Sequence, residues 1–141
     1  FTHQGASWVD RQELKNIRFP GPPETPFVLP DSLKNDSGIV NFIQDYNTLS
    51  TAQNPSSIAP IRALLDQAAA WSKASGRPVH LGEFGVSTFA DPESRARYAQ
   101  GFRILAEERN IPWALWDWKA GFAYWDENTK KPLLKEALFG K

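Results

Sequence analysis

Glu83 is the residue whose type and setting point most directly to chemistry. It stands in the run Leu81-Gly82-Glu83-Phe84-Gly85-Val86, an apolar stretch interrupted by glycines. A carboxylate buried unpaired in such surroundings costs several kcal/mol, so its presence calls for a reason. One reason is an ion pair with an arginine or lysine elsewhere in the chain. The other is an active-site carboxylate at the C-terminal end of a parallel strand, where such sheets place their sites. Spacing alone leaves both open.

A second apolar run, residues 111–118, ends in Trp116-Asp117-Trp118. Neighbouring strands lie ~4.8 Å apart, and hydrolysis of a glycosidic bond with retention uses two carboxyl groups ~5–5.5 Å apart. Spacing would therefore allow Glu83 to pair with Asp117. Strand parity argues otherwise: if Trp116 faces the site, Asp117 faces the helices, and it is expected to support rather than to catalyse. Tryptophans at strand ends suit a sugar, because the apolar face of a pyranose stacks on an indole. Trp8, Trp116, Trp118 and Trp125 all fall in or beside loops. Trp71, on a helical stripe, and Trp113, at a strand start, are expected in the core. His80 lies off the face of Glu83 by parity and is expected to pack. The sequon Asn35-Asp36-Ser37 is a common chance match and carries no weight. No metal-ligand spacing and no phosphate-binding glycine motif occurs.

These residues need elements to position them. Residues 1–57 are poor in periodic pattern, and seven of the eleven prolines fall between Pro20 and Pro60. Such a stretch cannot run as a central strand or a long helix. Ile39, Phe42, Ile43 and Tyr46 allow one or two helical turns. Trp8, Ile17, Phe19, Phe27, Val28 and Leu29 make the segment too apolar for a solvated tether, so an ordered loop hugging the surface is expected. Beyond it the pattern sharpens. Ser57 caps a helix from about Ile58, Pro60 suits its first turn, and Gly76 stops it. Its apolar stripe is Ile61, Leu64, Leu65, Ala68 and Trp71. Residues 77–86 read as a strand. Asp91 caps a helix with Pro92 at its first position, running to about Arg109 with Tyr98, Phe102 and Leu105 on its buried face. Residues 111–118 read as a second strand. A loop through Gly121 and Asp126 leads to a short helix near 133–138.

Helices alternating with strands argue for an α/β protein with a parallel sheet. Two strands are too few to be covered on both faces as such a sheet requires. A closed βα barrel takes eight units in ~250 residues, or about 31 residues per unit. This chain of 141 residues supplies two units and the tail of a third. It is expected to be part of a larger fold. The absence of methionine, with Phe1 at the front, likewise suggests a processed product or a piece of a longer protein.

Composition narrows the function classes. Sixteen Lys and Arg balance sixteen Asp and Glu, so no net field draws nucleic acid or an anionic membrane. With no cysteine there is no disulfide, thiolate catalysis or cysteine-based metal site. No apolar run approaches the ~18 residues of a membrane span.

Three blocks, FTHQGASW (residues 1–8), HLGEFGV (80–86) and WALWDWKAGFAYWD (113–126), resemble glycoside hydrolase family 5, and specifically the C-terminal part of its retaining βα-barrel β-glycanases. Many members are endo-β-1,4-glucanases, or cellulases. The resemblance implies a (β/α)8 TIM barrel, of which this chain carries the end of unit 6 and units 7 and 8. Residues 1–57 become a long loop region after strand six, and 58–141 the helix–strand–helix–strand–helix that closes the barrel. It implies that Glu83 is the catalytic nucleophile and Trp116 the sugar-stacking platform. His3 and Trp8 are implied on the leaving-group side, and Asp117 and Lys119 as contacts to sugar hydroxyls. It implies no cofactor and a secreted or periplasmic enzyme. The acid/base glutamate that the family carries on its fourth strand has no match here. Glu24, Glu93, Glu107 and Glu108 lie in loop or helix.

The sequence therefore reads as part of a retaining glycoside hydrolase acting on β-1,4-glucan, inactive alone, whose partner is the N-terminal part of the same barrel. Three alternatives stay open, one of them an inactive orphan fragment that folds only against a partner chain or as a swapped oligomer. The substrate could be another β-glycan, such as mannan or xyloglucan. The chain could instead be a non-catalytic carbohydrate-binding fragment, against which the capped helices speak.

Overall fold

A computed structural model describes residues 12–140. Among them the α-helices are α1 (Ser37–Thr48), α2 (Ile58–Ser75), α3 (Pro92–Glu107) and α4 (Lys135–Phe139), with short 3-10 turns at Gln12–Leu14 and Asp31–Leu33. The strands are β1 (Leu81–Phe84), β2 (Trp113–Leu115), β3 (Trp125–Asp126) and β4 (Lys131–Pro132).

Helix boundaries follow from local chemistry. The Ser57 hydroxyl accepts from the Ala59 amide at the start of α2, and Gly76 ends it at φ 67°, a left-handed conformation that glycine adopts without steric cost. At α3 the Asp91 carboxylate accepts from both the amide and the hydroxyl of Ser94 at 2.8 and 2.7 Å, with Pro92 next to the cap. Helix α1 is longer than the one or two turns expected. Asp36 caps it by accepting from the Ile39 amide, and Ile39, Ile43 and Tyr46 are buried along it.

Strands β1 and β2 pair in parallel, Leu81 opposite Trp113 and Phe84 opposite Leu115, with α3 as the crossover between them. Both are shorter than their apolar runs, since residues 77–80 lead into β1 without pairing. His80, expected to pack, is exposed there. Where a plain loop was expected after β2, β3 and β4 form an antiparallel ribbon. Its turn is closed by the Asp126 carboxylate, which accepts from Asn128 and Thr129.

The N-terminal segment is built into the core. Leu14, Ile17 and Phe19 are buried in one cluster with Tyr46, Phe84, Leu105 and Leu138. Main-chain groups of Phe19 are held from α3: its amide donates to Ser94 Oγ at 3.0 Å and its carbonyl accepts from Arg97 Nε at 2.6 Å. Arg18 pairs with Asp91. Burial alone would raise the Asp91 carboxyl, but hydrogen bonds from Arg18 and Ser94 together hold it below the usual carboxylate range. One cap thereby anchors both a helix and a proline-rich segment.

The stripe of α2 is only half used. Ile61 and Leu65 are buried, but Leu64 is 66% exposed and Trp71, expected in the core, is 53% exposed. Among the described residues nothing covers that side of the helix. Trp113 is partly buried and packs on the core, its ring edge-on to Phe84 at 5.7 Å.

Candidate active site

The pairing of β1 with β2 is irregular between Leu81 and Phe84. Phe84 is buried, its ring stacked on Phe102 of α3 at 4.9 Å. Glu83 before it is exposed. Its carboxylate carries neither ion pair nor hydrogen bond among the described residues. The ion-pair explanation for this residue thus finds no partner there, and the carboxylate bears no burial cost among these residues. Of its apolar neighbours, Phe84 and Val86 are buried in the core.

Beside it stands Trp116, just past β2. The Trp116 amide donates to the Phe84 carbonyl at 2.8 Å, which continues the parallel pairing one step beyond β2. Glu83, Phe84, Gly85, Trp116 and Phe122 line one open cleft of about 450 Å³. Trp116 is 53% exposed there. Gly85 has a steric requirement: a β-carbon on it would overlap the Trp116 carbonyl oxygen and come within 3.4 Å of the Phe122 ring. The peptide bond between Trp116 and Asp117 is cis.

Asp117 lies elsewhere. It borders a different cleft, of about 490 Å³, with Trp113, Leu115, Trp118, Tyr124, Leu138 and Phe139. Its carboxylate accepts from the Ala120 amide at 2.9 Å. Asp117 and Glu83 thus line different clefts. Lys119 is exposed and bridges to Glu127 at 3.4 Å, also outside the cleft of Glu83. Trp118 stacks almost parallel on Trp125, rings 5.7 Å apart. His3 and Trp8 lie outside the described residues. Of the other glutamates, Glu93 and Glu107 pair with Arg97 and Arg103 along α3.

Two parts of the site escaped sequence reasoning. Phe122 sits in an irregular loop with no periodicity to give it a face. Arg95 is a charged residue at 5% exposure on the buried side of α3, and the signal for it was present. It falls three and four residues before Tyr98 and Ala99, on the same helical stripe. Its guanidinium donates to the carbonyls of Val86, Phe122 and Ala123 at 3.0–3.1 Å. Burial draws its pKa below the ordinary arginine value, opposed by the charge of Asp117. A second tie joins the same loops: the Thr88 amide and hydroxyl both donate to the Gly121 carbonyl, at 2.8 and 3.1 Å.

Chemically, the cleft offers one free carboxylate flanked by aromatic surface. That suits a carboxylate acting on a ring with an apolar face. Among the described residues no three His, Asp or Glu side chains converge as a metal site would require.

The family described as Cellulase (glycosyl hydrolase family 5) matches residues 4–121. Endoglucanase C of Acetivibrio thermocellus is 29% identical over 141 residues, 98% of this chain and 38% of that protein. Endoglucanase 3 of Fibrobacter succinogenes is 28% identical over 127 residues, 87% of this chain and 18% of that protein. Among solved structures, endoglucanase Cel5A from Thermotoga maritima aligns with a TM-score of 0.66 at 25% identity, over 99% of this chain and 35% of that one. That enzyme has also been crystallised with cellobiose and with mannotriose. The chain spans between 18% and 38% of the length of these curated relatives.

Proposed function

This chain belongs to glycosyl hydrolase family 5, which implies a (β/α)8 barrel, and from that premise we propose that it forms the C-terminal part of a retaining β-glycanase. In this reading β1 and β2 are the seventh and eighth barrel strands, and α2, α3 and α4 are helices of the outer ring. The exposed side of α2 is then covered by the preceding unit of the barrel.

Glu83 is the nucleophile. Its carboxylate oxygen attacks the anomeric carbon while the glycosidic C–O bond breaks. The leaving oxygen keeps the bonding pair and takes a proton from a glutamic acid outside this chain, leaving a glycosyl ester on Glu83. That glutamate, now ionised, removes a proton from water, whose oxygen attacks the same carbon and displaces the Glu83 carboxylate. Two inversions give net retention. Trp116 stacks on the sugar beside the broken bond, and His3 and Trp8 contribute on the leaving-group side. The contacts with sugar hydroxyls expected of Asp117 and Lys119 fall outside the cleft of Glu83 and take no part in this step.

The substrate in this reading is β-1,4-glucan, which the endoglucanase relatives favour. Mannan is the second reading, favoured by the mannotriose complex of Cel5A. A polymer too large to enter a cell places the enzyme outside the cytoplasm, secreted or periplasmic. The isolated 141 residues lack the acid/base glutamate and are inactive in this account.

The observation that carries the proposal is the cleft in which an unpaired Glu83 stands beside an exposed Trp116. Its test is Glu83→Gln in the complete enzyme, assayed on soluble cellulose and mannan derivatives, with NMR identification of the first anomer released. Loss of turnover in the variant and a β-anomer from the unsubstituted enzyme are expected. Near-normal turnover or an α-anomer would refute it.

A further inference from the structure

We propose that Arg95 is a positioning residue for this reaction, holding the strand end that carries Glu83 against the loop that follows Trp116. The inference rests on the reading of Glu83 as nucleophile. Its basis is the set of groups the guanidinium touches. Nε donates to Val86, just beyond β1, and Nη2 donates to Phe122 and Ala123, in the loop that follows Trp116. All three hydrogen-bond acceptors are main-chain carbonyls, so these bonds read loop geometry, with the charge of Asp117 acting on the guanidinium as well. Arg95 itself is fixed on α3, the crossover joining the two strands, at a buried position.

Val86, Phe122 and Ala123 would otherwise present carbonyls near an apolar core, where an unpaired polar group is costly. A planar fork with several fixed donors can serve separate carbonyls at once; a lysine ammonium on a flexible stem cannot hold the same geometry. The consequence reaches the cleft, because Phe122 is one of its walls and the space beside Gly85, where a β-carbon would stand, is closed by Trp116 and the Phe122 ring. If the loops separate, Phe122 withdraws from the cleft of Glu83 while the pairing of β1 and β2, with the Trp116 amide on the Phe84 carbonyl, persists. A displacement of about 1 Å is enough to slow a reaction roughly 100-fold.

The test uses the complete enzyme with Arg95→Lys and Arg95→Met, and Glu83→Gln as control. Each is treated with a 2-deoxy-2-fluoro glycoside carrying a dinitrophenolate leaving group. The burst of dinitrophenolate counts competent molecules, and its rate reports attack by the nucleophile without help from the acid. Expected is a rate per competent molecule reduced roughly 10- to 100-fold in Arg95→Met and less in Arg95→Lys, with kcat falling more than KM rises on polysaccharide. A rate within about twofold of the unsubstituted enzyme in a folded variant overturns the proposal. So does failure of both variants to fold, which would make Arg95 a residue of the fold alone. A burst from Glu83→Gln would instead refute the nucleophile assignment.

Discussion

Gly85 packs so tightly against Trp116 that a β-carbon on the glycine would overlap the Trp116 carbonyl oxygen. Next to this contact the Phe84 carbonyl accepts the Trp116 amide at 2.8 Å. The ends of the two parallel strands are thus drawn together at the point where Glu83 and Trp116 face one cleft. The glycine is required by proximity to backbone, which no change of rotamer relieves.

Gly85→Ala is therefore expected to force the strand ends apart. The complete enzyme should lose about 1–3 kcal/mol of stability and roughly 10- to 100-fold in kcat/KM. Gly82→Ala on the same strand is the control, since among the described residues nothing lies within 4 Å of a β-carbon there. Thermal melts and steady-state kinetics of the pair check this; equal behaviour of the two variants would contradict it.

Trp116→Ala should remove the stacking surface without disturbing Glu83. A fall of roughly 10- to 100-fold in kcat/KM, or about 1.4–2.7 kcal/mol, is expected, with Trp116→Phe losing less. Because Trp116 is half exposed, the melting temperature should change little. A large loss of stability with kinetics intact would assign the ring to packing instead.

Asp91 gives a dependence on acid. Its folded carboxyl titrates below the unfolded value of 3.8, so its contribution is fully present above that pH. The contribution fades as pH falls through the folded value. Asp91→Asn retains an oxygen for the Ser94 amide but loses the charge that pairs with Arg18 and Arg97. The variant should be less stable near neutrality by about 1 kcal/mol, roughly 2–4 °C. That gap should stay constant down to about pH 5 and close below 3.8. Melts from pH 3 to pH 7 check it, and a gap that widens in acid would contradict it.

What was legible in the sequence was local and geometric. Ser57, Gly76, Asp91 and Pro92 mark helix ends through their own backbone preferences, and each does so in the structure. Glu83 and Trp116 stand out because a carboxylate and an indole interrupt or end apolar runs. What was hidden depends on neighbours distant in sequence. Extended residues such as those at 77–80 look like strand whether or not another strand pairs with them. The two-residue strands of the β3–β4 ribbon are too short to show alternation. Trp71 sits on an apolar stripe, but a stripe predicts burial only where something covers it. Arg95 escaped the sequence reading although it is a charge among core positions, and its role emerges only with the carbonyls of two loops brought to it.

The central claim is that Glu83 forms the bond to the sugar, and covalent trapping tests it most directly. The complete enzyme is treated with a 2-deoxy-2-fluoro β-cellobioside bearing an activated leaving group, digested, and sequenced by mass spectrometry. The account predicts a fluorocellobiosyl ester on the peptide containing residues 81–86, located on Glu83, and none in Glu83→Gln. A label on any other carboxylate, or inactivation that persists in Glu83→Gln, would contradict it.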